Sequence, residues 1–532
     1  MTDQSHSGSD APLSPLHFLE RSARVWGTRP AVRDRGVERT YAELLDRVQR
    51  AAAALRDELG VTPGDRVATL LPNVGPMLEL HYAVPGASGV LVPLNTRLSA
   101  GEYTYILEHS GACVVVAYAP LRDVLDEALA ALGDRAPAVL WVAEDPGAGA
   151  YEELLAATAG RPLELPEDER ALLSINYTSG TTGRPKGVMT THRGAYLHSL
   201  GVVIETGMTA RSAYLWTLPM FHCNGWAYTW AVTATGALHV GLPQVDPDAI
   251  WAAIGEAGVT HLCAAPTVVT MMLGSPAAAP ARQPVALFVG GAPPSPTLLE
   301  RAAALNIDVT HLYGLTETYG PIAVCAWQPD WDAAPPDEQA RLRARQGVAT
   351  VVSERLRVVD EDLRDVPADG STLGEVVMRG NNVMAGYYRD PEGTAEAFRG
   401  GWLHSGDMAV LHPDGYVELR DRLKDIVISG GENISTIEVE QALLTHPAVE
   451  EAAVIGIPDE HWGEVPAAFI TVTAGAAPST EELRDHVRER LARFKAPRHV
   501  TIVSELPKTA TGKIQKFELR RRAADATPSV AR

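Results

Sequence analysis

The chain has 532 residues, 46% hydrophobic and 21% charged, an ordinary profile for a soluble globular protein long enough to form more than one domain. Its formal net charge of −20 excludes nucleic acid and anionic membrane as bulk partners, because both require positive surface. An anionic ligand would therefore need cations placed locally.

Residues 1–14 are polar, lack the apolar core of a signal peptide and read as a disordered tail. From Pro15 to Asp168, helical patterns such as Tyr41–Leu59 alternate with β-rich runs such as Arg66–Leu71 and Cys113–Val116, which argues an α/β fold. Ala143–Pro166, rich in Ala, Gly and acids, reads as a surface connection. The four cysteines, Cys113, Cys223, Cys263 and Cys325, show no Cys-x-x-Cys spacing; they fit a reducing cytoplasm rather than disulfides or zinc.

The most informative stretch is Tyr177-Thr178-Ser179-Gly180-Thr181-Thr182-Gly183-Arg184-Pro185-Lys186-Gly187, directly after the apolar run Ala171–Ile175. Glycines let backbone N–H groups approach a ligand and form an anion-binding concavity; the hydroxyls add donors and Lys186 adds a mobile charge. That suits a polyphosphate, although Gly187 after Lys186 rules out a Walker A loop. A flexible linker has similar composition, but needs no apolar lead-in and no Pro-Lys-Gly ending.

Three further apolar runs end as abruptly. Tyr214–Leu218 leads into Pro219-Met220-Phe221-His222, Val285–Val289 into Gly290-Gly291-Ala292-Pro293, and Val309–Leu312, which includes His311, into Tyr313-Gly314-Leu315-Thr316-Glu317. Ligands of open α/β sheets bind outside the carboxyl ends of strands, so the four loops should line one crevice. Gly291, Ala292 and Pro293 offer a wall for a flat ring, Tyr313 a stacking face, and Thr316 with Glu317 an oxygen pair for Mg²⁺ beside phosphates. Alone, Tyr313 would read as a core aromatic and Glu317 as a solvated charge. Ser212–Val245 holds no Asp, Glu, Lys or Arg, yet Pro219, His222, Asn224, Gly225, Gly236 and His239 interrupt it, so it is no membrane span. Within it, Asn224-Gly225 reads as a turn or a helix start; a helix beginning there would aim Trp226, four residues after His222, at the crevice, the alternative being a Trp226 on the core face. Cys223 adjoins His222 but would point to the opposite face.

Gly386-Tyr387-Tyr388 and Trp402-Leu403-His404-Ser405-Gly406-Asp407 follow; the Asp407 carboxylate could accept two vicinal hydroxyls, or simply form a turn. After the charged run Asp421–Ile426, Ser435 and Glu438 predict a capping box opening a helix over Thr436–Leu444. Strands Ala452–Ile457, Ala467–Val472 and His499–Val503 and a helix over Thr480–Arg493 complete a compact α+β unit. Lys513 closes the series in Pro507-Lys508-Thr509-Ala510-Thr511-Gly512-Lys513.

Taken in order, these motifs resemble the adenylate-forming superfamily of acyl-CoA synthetases, peptide-synthetase adenylation domains and beetle luciferases, over roughly Tyr41–Lys516. Pro-Met-Phe-His-Cys-Asn-Gly-Trp and Ser-Gly-Gly-Glu-Asn-Ile-Ser are similar to plant acyl-activating enzymes and bacterial methylmercaptopropionate-CoA ligases. The resemblance implies a large N-terminal α/β domain (15–420) and a small mobile C-terminal α+β domain (421–532), hinged at Lys424. It implies ATP and Mg²⁺ as cofactors, coenzyme A as co-substrate and a small carboxylic acid as substrate. Thr178 to Gly183 and Lys186 would hold pyrophosphate, and Thr178 and Glu317 the metal. Gly291, Ala292, Pro293, His311, Leu312, Tyr313, Gly314 and Thr316 would hold the adenine end, with Asp407 and Arg422 on ribose or phosphate. Gly430 and Gly431 would line a pantetheine channel. Lys513, Glu317, Thr316 and His222 would be catalytic, and His222, Trp226, Gly290 and Gly314 would bound the acid. The implied activity is ATP-dependent acyl-CoA ligation of a small-to-medium monocarboxylic acid. Transfer to a carrier protein, nitrite activation as in diazotases, and a non-catalytic nucleotide sensor stay open. So does assembly, a homodimer among the candidates.

Overall fold

The computed structural model describes residues 11–178, 184–291, 294, 296–422, 425–429, 432–459, 462–473, 475–508 and 514–526. Two compact units emerge: one holds the chain up to Arg355 together with Arg379–Arg399, the other Leu356–Met378 together with the chain from Gly400 onward.

The first unit is built on two mixed sheets. In the nine-stranded sheet, Ala213–Leu215, Leu238–Val240, His261–Ala264, Val285–Val289 and Ile307–Leu315 pair in parallel, and Gly320–Val324 joins antiparallel. In the seven-stranded sheet, Val90–Pro93, Arg66–Leu70, Ala112–Tyr118 and Ala138–Val142 are parallel neighbours or near neighbours. Leu172–Tyr177 extends this sheet in parallel, then turns back antiparallel into Gly187–Thr191. The parallel strands are near-continuous apolar runs, as burial on both faces by helices requires. The four apolar runs expected to open on one crevice come from two sheets: Leu172–Tyr177 belongs to one and the other three to the second. Local composition marks a strand but not its partner, which tertiary pairing chooses.

Several local expectations change in the same way. The helix Tyr41–Asp57 forms as predicted, with a closed Thr40–Glu43 capping box. The supposed surface connection carries a helix, Ala150–Ala157, which buries Tyr151. Within the supposed tail, Ser14 is fully buried against His192 at 2.9 Å, and Leu13 N donates to Glu169; Met1–Asp10 lies outside the described residues. The Ile307 strand runs on through Tyr313 to Leu315, with a bulge between Tyr313 and Gly314. A Cβ at Gly314 would lie 2.0 Å from the Gly320 carbonyl oxygen, so only glycine lets the chain pass there.

The second unit contains the four-stranded antiparallel sheet of Arg357–Val359, Gly374–Met378, Leu403–Leu411 and Val417–Arg422, and a five-stranded sheet led by Val449–Asp459 and Gly463–Val472. The helix Thr436–Leu444 starts where Ser435 Oγ accepts Glu438 N. The reciprocal half of that capping box does not form, because Glu438 pairs with Lys495 at 2.6 Å. The next helix is Thr480–Arg488, ending short of Arg493.

A buried charge network ties the first unit's N-terminal helices together. Arg47 donates to Glu79 at 2.6 Å and to Glu152 at 2.6 Å, and Tyr151 OH donates to Glu79 at 2.9 Å. Glu79 is 1% exposed. Burial disfavours the charged Arg47, yet the carboxylates outweigh it and hold the guanidinium above its usual range. Arg47→Ala would leave the buried Glu79 without its cationic partner, held only by the Tyr151 hydroxyl; we expect a loss of about 3 kcal/mol, read as a lowered melting temperature.

Candidate active site

Thr178 and Lys186, which flank the Gly-rich stretch, are bonded to each other across the end of the strand pair Leu172–Tyr177 and Gly187–Thr191. Thr178 N donates to Lys186 O at 3.0 Å, and Lys186 N donates to Thr178 Oγ1 at 3.3 Å. Glycine is required just beyond, since a Cβ at Gly187 would press on Ile175 at 2.8 Å and on Tyr177 and Tyr388. Lys186 is half exposed and pairs with Asp390 Oδ2 at 3.2 Å.

Thr316, Glu317 and Thr318 form a single 3₁₀ turn at the end of the Ile307–Leu315 strand. A returning segment straps this turn: Asn382 Nδ2 donates to Thr318 O, and Met384 N to Glu317 O. Gly386–Tyr387 then pairs with Gly187–Thr191, and Tyr387 OH donates to Glu317 Oε1 at 2.8 Å. The phosphate-type loop and the carboxylate turn, which end strands of different sheets, are thereby brought together. Tyr387 is a residue whose role sequence reasoning missed; its motif was visible, its reach was not.

Of the turn or helix start expected at Asn224-Gly225, the structure forms the turn, and it is left-handed. Cys223, Asn224, Gly225, Trp226 and Ala227 have φ of +47°, +50°, +63°, +53° and +64°. Four of the five carry side chains that disfavour this conformation, so the surroundings must hold it. Asn176 Nδ2 donates to Asn224 Oδ1 at 2.8 Å, and Asn224 O accepts from Thr229 Oγ1 at 3.0 Å. Just upstream, Asn73 staples the loop: its Nδ2 donates to Trp216 O and Leu218 O, and its Oδ1 accepts from Met220 N. Nothing in their local sequence marks Asn73 and Asn176 for this task. The turn sets Trp226, half-buried, with its indole tip at Gly290, where a Cβ would lie 2.6 Å away, and its Cα against Gly320. The structure thus joins Trp226 to Gly290, while His222 lies at the head of the turn, half-buried. Cys223 meets the Thr316 hydroxyl, and burial pushes its thiol up to about 12, which makes it inert as a nucleophile.

Other candidates are placed less directly. Gly291 has φ +93° and open space where a Cβ would stand. Tyr313 and Leu312 are buried. His311 is buried with Nδ1 on the carbonyls of Ala344 and Arg345, and burial lowers it to about 4, so it is neutral. In the second unit, Asp407 is 3% exposed and its N–H donates to Ser405 Oγ; Arg422 ends the strand Val417–Arg422. Ser179, Gly180, Thr181, Thr182, Gly183, Ala292, Pro293, Lys424, Gly430, Gly431 and Lys513 lie outside the described residues.

The residues present suit a nucleoside polyphosphate with a hard cation. Among the described residues no cluster of three or more His, Cys, Asp or Glu could hold a metal ion by itself. One carboxylate, Glu317, beside hydroxyls and a lysine matches Mg²⁺, which keeps its waters and shares phosphate oxygens rather than filling a protein cage.

The turn yields a direct test. At Gly225 a Cβ would lie 2.5 Å from the fully buried Trp216 ring, at a φ that L residues disfavour. Gly225→Ala should cost about 2 kcal/mol, lowering the melting temperature and changing the fluorescence of Trp226. An unchanged melting temperature would contradict the packing described.

The AMP-binding enzyme family matches residues 19–388, and the AMP-binding enzyme C-terminal domain matches 438–513. An acetate–CoA ligase of Humulus lupulus is 44% identical, with 96% of this chain and 95% of that protein covered. A peroxisomal acetate/butyrate–CoA ligase of Arabidopsis thaliana is 42% identical, with 97% and 95% covered. ATP-bound MatB from Rhodopseudomonas palustris has a similar structure, with a TM-score of 0.85 at 29% identity, covering 96% of this chain and 99% of that one. With its loop, its carboxylate turn and both matched segments in order, the chain belongs to the AMP-binding enzyme family.

Proposed function

We propose that the chain is an ATP-dependent acyl-CoA ligase for a small or medium monocarboxylic acid. The observation that supports this is the junction of Lys186 and Glu317 through Tyr387, which puts a cation suited to phosphate and a carboxylate suited to a metal ion near one another. A carboxylate resists attack because of its charge and resonance. In the first step its oxygen attacks the α-phosphorus of ATP, the bond to the β-phosphate breaks and pyrophosphate leaves. In the second the thiol of coenzyme A attacks the acyl carbon, its proton is lost and AMP leaves.

Both reactants of the first step are anions, so local cations decide its rate in a chain of net charge −20. Lys186 would hold the departing pyrophosphate and Lys513 would bridge the carboxylate and the α-phosphate. Glu317, with Thr178, would hold Mg²⁺, which when bound supplies neutralising charge to the phosphates. Asp407 and Arg422 would serve the ribose. A rotation about Lys424 would exchange Lys513 for Gly430 and Gly431, so that the thiol can enter. A cytoplasmic setting goes with the free cysteines and with the lack, among the described residues, of a helix long and apolar enough to cross a membrane.

Lys513→Ala should abolish adenylation while sparing transfer from preformed acyl-AMP to coenzyme A, measured as separate half-reactions. Equal loss in both would remove Lys513 from this role.

The size of the acid follows from Trp226. Its indole abuts Gly290, and Ser212–Val245 offers no Arg or Lys for a second carboxylate. The acids named for the two plant relatives, acetate and butyrate, are of this class. A pyrophosphate-release screen over acids of rising length, with and without coenzyme A, tests the whole reading; no release with any acid would refute it. In Trp226→Gly the optimum should move to longer chains. Neighbouring lengths should differ a few-fold, since each buried methylene contributes about 0.8 kcal/mol.

A further inference from the structure

Lys186 and Glu317 sit at opposite ends of one short chain of contacts. Lys186 Nζ lies 4.5 Å from the centroid of the Tyr387 ring, and the hydroxyl of that ring donates to Glu317 Oε1 at 2.8 Å. Asp390 Oδ2 receives the same ammonium at 3.2 Å, while Asp390 Oδ1 accepts Gly393 N and caps the helix Pro391–Ala397. Gly393 leaves the room: a Cβ there would lie 2.8 Å from Lys186 Nζ.

The rest of the segment fixes Tyr387 from its backbone. Tyr387 N donates to Thr394 Oγ1 at 2.9 Å, Tyr388 N donates to Gly187 O at 2.7 Å, and Ala385 N to Met189 O at 2.9 Å. The ring is thus held on both sides, half-buried, between an ammonium and a carboxylate.

We propose that Tyr387 is a positioning residue of the ATP site: its hydroxyl sets the Glu317 carboxylate for the metal, and its face keeps the Lys186 ammonium aimed beside it. A carboxylate rotates freely about its last bond; a hydrogen bond to one oxygen leaves the other turned outward to accept a cation. The ring face attracts the ammonium without neutralising it, so Lys186 can exchange its Asp390 partner for phosphate oxygens. The inference rests on the ATP-dependent reading above.

The test is a double-mutant cycle of Tyr387→Phe and Glu317→Gln, with the affinity for ATP measured by calorimetry in Mg²⁺ and without it, no acid present. Tyr387→Phe keeps the ring, so melting temperature and metal-free ATP binding should stay at wild-type values. Binding of ATP in Mg²⁺ should weaken about tenfold, as expected for losing one hydrogen bond to a charged acceptor. In the Glu317→Gln background the same change should have little further effect, because Tyr387 acts through that carboxylate. Equal losses in both backgrounds, or an unchanged affinity in Tyr387→Phe, would overturn the proposal. A fall in melting temperature with equal weakening with and without Mg²⁺ would also overturn it, as a purely structural role. If the wild-type protein bound no ATP at all, the ATP-dependent reading itself would fall, a result distinct from any of these.

Discussion

One amide pair holds the site together. Asn176 ends a strand of the seven-stranded sheet, Asn224 stands in the loop after a strand of the nine-stranded sheet, and their side chains meet at 2.8 Å. Both are buried, so the bond is shielded from water, and leaving either partner unpaired would cost more than the bond itself contributes. The left-handed run from Cys223 to Ala227 needs this anchor, and the place of Trp226 depends on the run. Asn73 adds a second anchor from the turn before an N-terminal helix, so two distant parts of the chain fix one short loop.

Charge follows the same economy of place. The protein carries a large negative excess, yet its cations near the site are individually held. Lys186 has Asp390 and the Tyr387 face, and Arg184 lies over Tyr105 at 5.4 Å. Exposed pairs of this kind contribute little to stability and exchange partners cheaply. Buried pairs such as Arg47 with Glu79 do not exchange, and serve to lock the helices that flank the first sheet. The same chemical types therefore do opposite work according to depth.

Much of this was legible in the sequence. Strand runs such as Ala452–Ile457 and the helix Thr436–Leu444 appear where periodicity and capping put them, and the phosphate-type loop follows its apolar strand. Thr316 and Glu317 were marked by composition at a strand end. What was not legible has one physical cause: long-range pairing leaves no local trace. The four strand ends were expected to line one crevice, but which sheet each strand joins could not be read from runs that look alike. The Asn224-Gly225 pair signals a turn, yet the left-handed path through Trp226 is imposed by Asn176 and Thr229 from outside. Tyr387 was noticed within Gly386-Tyr387-Tyr388, but its hydroxyl bond to a residue 70 positions away cannot be read from neighbours.

The strap that carries Tyr387 has a bearing on how the protein is made. Arg379–Arg399 belongs to the first unit but is synthesised after Leu356–Met378, which belongs to the second. Until the ribosome has passed that point, the Gly187–Thr191 strand lacks its outer neighbour and presents unpaired backbone groups. The first unit is thus a discontinuous folding unit, completed only after part of the next has emerged. The last strand pairing of the first unit, at Gly386–Tyr387, therefore forms only after residues of the second unit have been synthesised.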